Sequence, residues 1–379
     1  MDKINLKLLI VDSEDWTFWF HRLSLAMTVE ANGFDVTLLT RCNEYASKIR
    51  ERGINVSHVD FVRSTRLPIK DIINIYRLHC LFKLHKPNII HNVALKTILI
   101  SSLAALLSRN AVVVNAFTGL GYVFSSEQSL AKTIRLFIKP VFKFFATRPN
   151  FWSVFQNPDD MSLFIKQGMA IAERSVLIRG SGVDIEEYAQ TPDKNDVPIV
   201  MLASRMLWDK GIGEFIEASK KACENNMNAK FVLVGDVDPE NPMSIPEATL
   251  NKWASEGFIE WRGHCTNMPE MLGSASIVCL PSYREGLPKI LLEAAAVGRP
   301  LIATDVPGCR EIVKNNENGI LVKLKDVDSL YQAIEYLVQN KKSRLDMGAK
   351  SRVLVETELS SEIINRKTID LYKTALKII

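Results

Sequence analysis

Two glutamates lie close together where the chain alternates apolar runs with polar loops. Glu285 lies in the loop after the apolar run Ser276–Leu280, and Glu293 lies in the second turn of the helix predicted next. Carboxylates accept charge-assisted hydrogen bonds, so two of them suit a hydroxyl-rich ligand. The backbone N–H groups of Gly286 and Leu287, near the positive end of that helix, suit bound oxygens or an anion. Taken alone, such a pair is also typical of a solvated loop and a helix surface.

Two cations follow another apolar run, Ile199–Ala203. Arg205 comes shortly after this predicted strand, and Lys210 with Gly211 directly precedes a predicted helix. A guanidinium and an ammonium beside a helix N-terminus neutralise a diphosphate. A departing nucleoside diphosphate needs that neutralisation, because negative charge grows on it in the transition state. The alternative is a pair of solvated surface cations.

Asp236 and Asp238 follow a third predicted strand, Phe231–Val234. Two acids at this spacing can hold a metal ion beneath a diphosphate. Because Arg205 and Lys210 already supply positive charge nearby, we expect instead that the two acids end the strand and solvate its loop. We therefore predict no metal site.

The elements that must position these residues form two series. Short apolar strands alternate with helical patterns before residue 190, and a second alternation begins after 198. Such alternation specifies a parallel, doubly wound sheet. We predict an α/β protein with two Rossmann-like domains, 1–190 and 198–360, joined by a polar linker, with a last helix at about 361–379 that packs back on the first domain. Their interface is the natural place for a site.

The composition is that of a globular soluble protein. Of the 379 residues, 47% are apolar and 24% are charged, and the net charge is +4. No nucleic-acid partner is expected. The apolar run Thr97–Leu107 is too short to span a bilayer, and the N-terminus has no signal-peptide pattern. The six cysteines form no C-x-x-C pair, which favours reduced thiols in a cytoplasmic protein.

The motifs together resemble family 4 retaining glycosyltransferases, which have the GT-B fold of two Rossmann-like domains facing each other across a cleft. The resemblance rests on Glu-Gly-Leu-Pro at 285–288 with its helix, and on Ser-Arg-Met-Leu-Trp-Asp-Lys-Gly at 204–211. It implies that Glu285 contacts the donor sugar and Glu293 the ribose, while Arg205 and Lys210 bind the donor diphosphate. Manganese-binding D-x-D belongs to the other large glycosyltransferase fold, GT-A.

Further stretches, at 117–122, 156–160 and 240–242, look like a bacterial branch that adds N-acetylhexosamines to undecaprenyl-diphosphate-linked sugars. The resemblance implies a UDP-sugar donor, a lipid-linked saccharide acceptor, retention of configuration and no cofactor. We expect a cytoplasmic enzyme, peripherally associated with the inner membrane, that acts in surface polysaccharide assembly such as O-antigen or capsule. The alternatives are a sugar-nucleotide epimerase or hydrolase of the same fold, and a non-catalytic subunit of an assembly complex.

Candidates for the acceptor side are His21, His91, Gly119 and Gly121. His21, followed by Arg22, lies on a predicted helix Trp19–Ala31, and His91 ends a strand. The two glycines form either a tight turn or an acceptor loop. His264, after a strand of the second half, is a candidate neighbour of the nucleotide base.

The loop after the first strand departs from the family pattern. Many members have a glycine-rich loop there, whereas Val11–Trp16 contains three acids and no glycine. Such a loop is expected to repel an anionic acceptor.

The segment 130–152 is basic and apolar, with no acidic residue. If the segment is helical, its cations form one stripe, which consists of Lys132, Arg135, Lys139 and Lys143. Its apolar residues are Leu136, Phe137, Val141, Phe144 and Phe145. A helix of this type can lie in the interface of an anionic membrane. The alternative is a core-packing helix with a solvated basic face, and Pro140 predicts a kink in either case.

Overall fold

The computed structural model describes residues 6–61, 68–107, 111–120, 124 and 129–377. The chain divides into two compact units, which we call the first domain (Met1–Ser181 with Ile364–Ile379) and the second domain (Gly182–Ile363). The boundary therefore lies before the predicted linker 190–198. The reason is packing, since Arg299 Nη1 donates to the carbonyl of Thr191 at 2.7 Å and Arg344 Nε lies 3.0 Å from Asp193 Oδ2.

The first domain is built on a parallel sheet of seven strands in the order β3-β2-β1-β4-β5-β6-β7. Its strands are β1 Leu6–Glu14, β2 Phe34–Arg41, β3 Asn55–His58, β4 Ile89–Val93, β5 Val112–Phe117, β6 Phe151–Phe155 and β7 Ser175–Leu177. Its helices are α1 Asp15–His21, α2 Leu23–Ala31, α3 Tyr45–Glu51, α4 Pro68–His85, α5 Leu95–Ala105, α6 Ser129–Ala146 and α7 Pro158–Lys166. The central strands are buried because helices cover both faces of a parallel sheet, and every residue of β4 and β5 is buried.

The second domain has a parallel sheet of six strands in the order β10-β9-β8-β11-β12-β13. Its strands are β8 Ile199–Ala203, β9 Lys230–Val234, β10 Glu260–Trp261, β11 Ile277–Leu280, β12 Leu301–Thr304 and β13 Gly319–Val322. Its helices are α8 Ile212–Glu224, α9 Glu247–Ser255, α10 Met268–Ser274, α11 Lys289–Ala296, α12 Cys309–Ile312, α13 Val327–Gln339 and α14 Lys341–Leu354. Each sheet thus separates two apolar clusters, as the alternation predicted.

The last helix, α15 (Ser361–Leu376), returns the chain to the first domain. Ile364, Leu371 and Tyr372 join the apolar cluster formed by β1, β2 and β4. Asn365 Nδ2 donates to the hydroxyls of Ser24 and Thr28 on α2, both at 3.0 Å.

The predicted helix Trp19–Ala31 is in fact two helices, α1 and α2. Buried Arg22 breaks them, with φ −130° and ψ −12°, and helix α1 begins earlier, at Asp15. The sequence does not reveal this break, because the helical spacing of the apolar residues Phe18, Leu25 and Val29 continues across it. Helix α7 was not predicted, although Asn157 caps it by accepting from Asp160 N at 2.8 Å and a proline follows the cap.

Helix α6 divides its apolar residues between the core and the surface. Phe142 and Phe145 are buried at 1% and 2% exposure. Phe145 was expected on an exposed apolar face, and this expectation is wrong. Leu136 and Phe137 are 70% and 71% exposed, and Phe144 is 43% exposed. No helix within the described residues is long and apolar enough to cross a membrane.

Candidate active site

The donor-side candidates meet at the centre of the second sheet. Strands β8 and β11 are neighbours although they are not consecutive, and the chain leaves their carboxyl ends in opposite directions. Ligands of open α/β sheets bind at such a point. The segment after β8 carries Arg205 and Lys210, and the loop after β11 carries Glu285. The topology therefore brings together residues that are far apart in the chain.

Lys210 and Glu285 form a direct ion pair. Lys210 Nζ donates to Glu285 Oε1 at 2.6 Å, and the side chains are only 20% and 12% exposed. Gly211 makes the approach possible, because it has φ +74° and a Cβ there would collide with the carbonyl of Pro281. Tyr283 N also donates to the carbonyl of Asp209 at 2.8 Å, which ties the two loops together.

The loop that carries Glu285 rests on two residues that had no predicted role. They are Thr304 of β12 and Gly308 of the turn after β12. Gly308 has φ +83°, and a Cβ there would lie 2.5 Å from the carbonyl oxygen of Gly286 and 2.7 Å from that of Glu285. The hydroxyl of Thr304 donates to the carbonyl of Ser282. The turn at 304–308 therefore underlies the Glu285 loop, a contact between segments that are distant in the sequence.

Arg205 is paired with an aspartate of the D-x-D string. Arg205 Nη1 donates to Asp238 Oδ2 at 2.6 Å, with side-chain exposures of 50% and 14%. The expectation that Asp238 merely solvates a loop is therefore wrong, since it holds the guanidinium. Asp236 is exposed and lies 3.6 Å from Nδ1 of the exposed His264. Among the described residues, no group of three or more His, Cys, Asp or Glu side chains could hold a metal ion.

Glu293 is more enclosed than a helix-surface glutamate. Its Oε1 accepts from Tyr188 Oη at 2.9 Å and lies 3.3 Å from Lys289 Nζ, and the residue is 7% exposed. Burial raises the pKa of Glu293, and the charge of Lys289 and the bond from Tyr188 oppose that rise. Burial and Glu293 likewise raise the pKa of Tyr188. Tyr188 was missed because its partner is 105 positions away.

In the first domain, His91 is the acceptor-side candidate that lies in an interior site. It is 2% exposed on β4, and its Nδ1 lies 2.7 Å from Tyr372 Oη of α15. Burial, with a contribution from the charge of Arg22, lowers the pKa of His91 to about 3, so the imidazole is neutral.

The other acceptor-side candidates lie elsewhere. His21 is half-buried at the end of α1. Gly119 has φ +124° in the loop after β5, a conformation that a tight turn requires. Gly121 lies outside the described residues.

The residues predicted as an acidic loop, 11–16, instead form the end of β1 and the start of α1. Their acids bind within the domain, which contradicts the expectation that they face a ligand. Asp15 Oδ2 accepts from the backbone N–H groups at the start of α3, those of Asn43, Tyr45 and Ala46. Glu14 Oε2 accepts from Asn43 Nδ2 at 3.0 Å, and Glu14 Oε1 lies 3.6 Å from Arg41 Nη1. Asp12 Oδ1 accepts from Thr17 Oγ1 at 2.6 Å, and burial raises the pKa of Asp12 to about 6.

Two protein families match the chain, one in each domain. The family described as "Glycosyl transferases group 1" matches residues 184–353, which include every donor-side residue described above. The family described as "Glycosyl transferase 4-like" matches residues 7–148 of the first domain. Together the two matches cover most of the chain.

Three similar proteins each cover between 72% and 98% of this chain. A Campylobacter jejuni protein named N,N'-diacetylbacillosaminyl-diphospho-undecaprenol alpha-1,3-N-acetylgalactosaminyltransferase is 26% identical over 95% of this chain and 96% of its own. An Escherichia coli UDP-Gal:alpha-D-GlcNAc-diphosphoundecaprenol alpha-1,3-galactosyltransferase is 28% identical over 72% of each chain. The structure of Anabaena HepE in complex with UDP and glucose superimposes with a TM-score of 0.78 at 15% identity, covering 98% of this chain and 100% of HepE.

Proposed function

Since this chain belongs to the glycosyltransferases of the GT-B fold, we propose that it transfers an N-acetylhexosamine from a UDP-sugar to a lipid-diphosphate-linked saccharide. The reaction would serve the assembly of a bacterial surface glycan. The names of the Campylobacter and Escherichia coli relatives support this acceptor class, because both specify an undecaprenyl-diphosphate-linked sugar. The donor is less constrained, since those two names specify different sugars.

The observation that carries the proposal is the Lys210–Glu285 pair at the switch point of the second sheet. The pair places an ammonium next to a carboxylate. A nucleotide sugar suits both groups, because its diphosphate can bind the ammonium and its sugar can bind the carboxylate. Glu285 Oε2 accepts no hydrogen bond from any described residue, so it is available to a sugar hydroxyl. Arg205, with a half-exposed side chain, supplies a second cation after the same strand, β8.

The proposed chemistry breaks the bond between the sugar anomeric carbon and the diphosphate oxygen. The acceptor hydroxyl forms its new bond on the same face of the sugar, so configuration is retained, and its proton passes to the departing diphosphate. Arg205 and Lys210 neutralise the charge that grows on that diphosphate. Glu285 orients the sugar, and Glu293, held by Tyr188 and Lys289, accepts from the ribose. Gly286 and Leu287 supply backbone N–H groups at the start of α11.

We propose that no metal ion takes part. The support is that Asp238, the better buried acid of the D-x-D string, is already bound to Arg205. Positive charge at the diphosphate then comes from two side chains, which is an alternative to a divalent ion.

We also propose that the first domain binds the inner face of the cytoplasmic membrane through helix α6. Leu136, Phe137 and the exposed Lys132 and Lys143 all face solvent. Arg148 lies over the ring of Phe144, 4.2 Å from its centroid, which adds a cation to an exposed aromatic side chain. Helix α4 packs on the same apolar cluster and exposes Ile73 at 57% and Tyr76 at 70%.

A panel of UDP-sugars, incubated with and without an undecaprenyl-diphosphate-linked sugar, tests the function. We expect one donor to release UDP only when acceptor is present, and the acceptor to gain the mass of one sugar. Change of the donor sugar without acceptor would favour an epimerase, and UDP release without acceptor gain would favour a hydrolase. A properly folded protein that releases no UDP with any donor would contradict the proposal.

A further inference from the structure

A buried pocket in the first domain carries a cation that no described residue pairs. The pocket lies near the carboxyl ends of β5 and β6, and its lining includes Arg22, His91, Gln156, Gly180 and Thr368 with apolar side chains from those two strands. Arg22 and His91 are only 7% and 2% exposed. The guanidinium of Arg22 makes no hydrogen bond or ion pair with a described residue, and its Nε is fully buried. A buried charge without a partner is strongly unfavourable.

His91 contributes a second donor. Tyr372 Oη is fully buried, and its only bond to a described residue is the one with His91 Nδ1, at 2.7 Å. Among the described residues, Nδ1 is the acceptor within reach of this hydroxyl, so we assign the hydroxyl proton to the bond with Nδ1. The ring proton of neutral His91 then sits on Nε2, which is buried and has no partner. Arg22 and His91 thus present hydrogen-bond donors to the pocket.

The acids of the same sheet edge do not neutralise Arg22 by direct contact. Glu14 and Asp15 bind Arg41, Asn43 and the start of α3. Asp12 attracts Arg22 electrostatically, but it forms no ion pair with it and accepts its bond from Thr17. The pocket has room for about one water-sized group, so a single oxygen of a larger ligand fits inside it.

We propose that the Arg22–His91 pocket binds an oxyanion, and that during the proposed transfer this is a phosphoryl oxygen of the lipid-diphosphate acceptor. Two converging donors, one of them charged, suit such an oxygen better than they suit a sugar hydroxyl, which must also donate. The acceptor part of this assignment rests on the proposed function. The oxyanion site itself does not.

Calorimetric titration of the full chain with inorganic phosphate and inorganic diphosphate, in saturating UDP, tests the site directly. UDP occupies the donor site of the second domain, so the remaining anion binding reports the pocket. We expect wild type and Arg22→Lys to bind, and Arg22→Met to bind about tenfold or more weakly, because a charged hydrogen-bond donor is lost. Arg41→Met removes a cation from the same sheet edge and should bind as wild type does. Absence of anion binding to wild type, or equal binding by Arg22→Met, would overturn the site.

Steady-state kinetics separates the two sources of the anion. With a short-chain polyprenyl-diphosphate sugar as acceptor, Arg22→Met should raise KM about tenfold or more. With a neutral alkyl glycoside of the same sugar, KM should not change. If anion binding depends on Arg22 but the two KM values shift equally, the pocket takes free phosphate and the acceptor assignment fails. Complete absence of sugar transfer would instead refute the proposed function, while anion titration still decides the site.

Discussion

Lys210 Nζ donates a hydrogen bond of 2.6 Å to Glu285 Oε1, although the two residues are 75 positions apart. The contact depends on a glycine beneath each loop, Gly211 against Pro281 and Gly308 against the backbone of Glu285 and Gly286. A cation and a carboxylate are thereby fixed against each other before any ligand binds. Such preorganisation lowers the cost of positioning charge in the transition state.

Asp238 pairs with Arg205, so in the proposed site it competes with a bound diphosphate for the guanidinium. Asp238→Asn should therefore tighten UDP binding, by up to about fivefold, since exposed ion pairs contribute about 0.2–1 kcal/mol. Calorimetric titration with UDP measures the change, and Asp236→Asn serves as the neighbouring control with unchanged affinity. Weaker UDP binding by Asp238→Asn would mean that Asp238 holds Arg205 in its productive position instead.

Transferase activity should persist in excess EDTA, because in the proposed mechanism Arg205 and Lys210 neutralise the diphosphate without a divalent ion. The rate of acceptor-dependent UDP release is measured before and after chelation. Full loss of activity that manganese restores, together with an inactive Asp238→Asn variant, would replace the metal-free account with a metal-dependent one.

Binding to anionic vesicles should depend on helix α6. A variant with Lys132, Arg135, Lys139 and Lys143 changed to Gln should bind at least about tenfold more weakly, since each cation near the surface contributes on the order of 1 kcal/mol. Co-sedimentation at two salt concentrations measures it, and the binding of wild type should weaken with salt.

The matched control changes four lysines of the second domain, Lys220, Lys221, Lys341 and Lys342, to Gln. Leu136→Ser with Phe137→Ser tests the apolar contribution separately. If the control variant loses as much vesicle binding, or if wild type does not bind vesicles, helix α6 does not mediate membrane binding.

His91 should make the first domain more stable at neutral than at acidic pH. Its pKa falls from 6.5 to about 3 on folding, so between these values the unfolded chain binds the extra proton and stability rises with pH. Asp12, whose pKa is raised to about 6, changes stability in the opposite direction across part of this pH window. The other charged or titratable groups around His91 are Arg22 and Tyr372. His91→Gln should therefore lower the slope of unfolding free energy against pH by up to about 1.4 kcal/mol per unit.

Urea titrations of the first domain between about pH 4 and pH 6 measure this slope. His264→Gln, which removes an exposed imidazole with 69% of its side chain accessible, serves as the matched control. An unchanged slope in His91→Gln would show that His91 titrates normally in the folded protein.

The sequence predicted both sheets because strand–helix alternation is a local pattern. It also predicted that Glu285, Lys210 and Arg205 follow strand ends, since apolar runs end visibly. It did not predict their partners. Asp238, Tyr188 and Gly308 contribute through contacts between distant loops, and such contacts leave no periodic signal in the chain.

In the first domain, the buried pocket could not be predicted from the sequence for the same reason. Arg22 was visible only as a neighbour of His21, and its burial depends on a helix break that the apolar spacing conceals. Tyr372, the partner of His91, lies 281 positions away on the returning helix.

The most direct measurement is acceptor-dependent UDP release by Arg205→Gln and Lys210→Gln, in the presence of the preferred donor. Glutamine keeps a hydrogen-bond donor for Asp238 or Glu285 and removes the charge. Each variant should lose about a hundredfold or more in kcat, because one preorganised charge at a developing anion contributes about 3–4 kcal/mol. Arg262→Gln, which breaks an exposed pair with Glu260 in the same domain, should keep wild-type kcat. Near wild-type turnover by both Arg205→Gln and Lys210→Gln would contradict the diphosphate assignment.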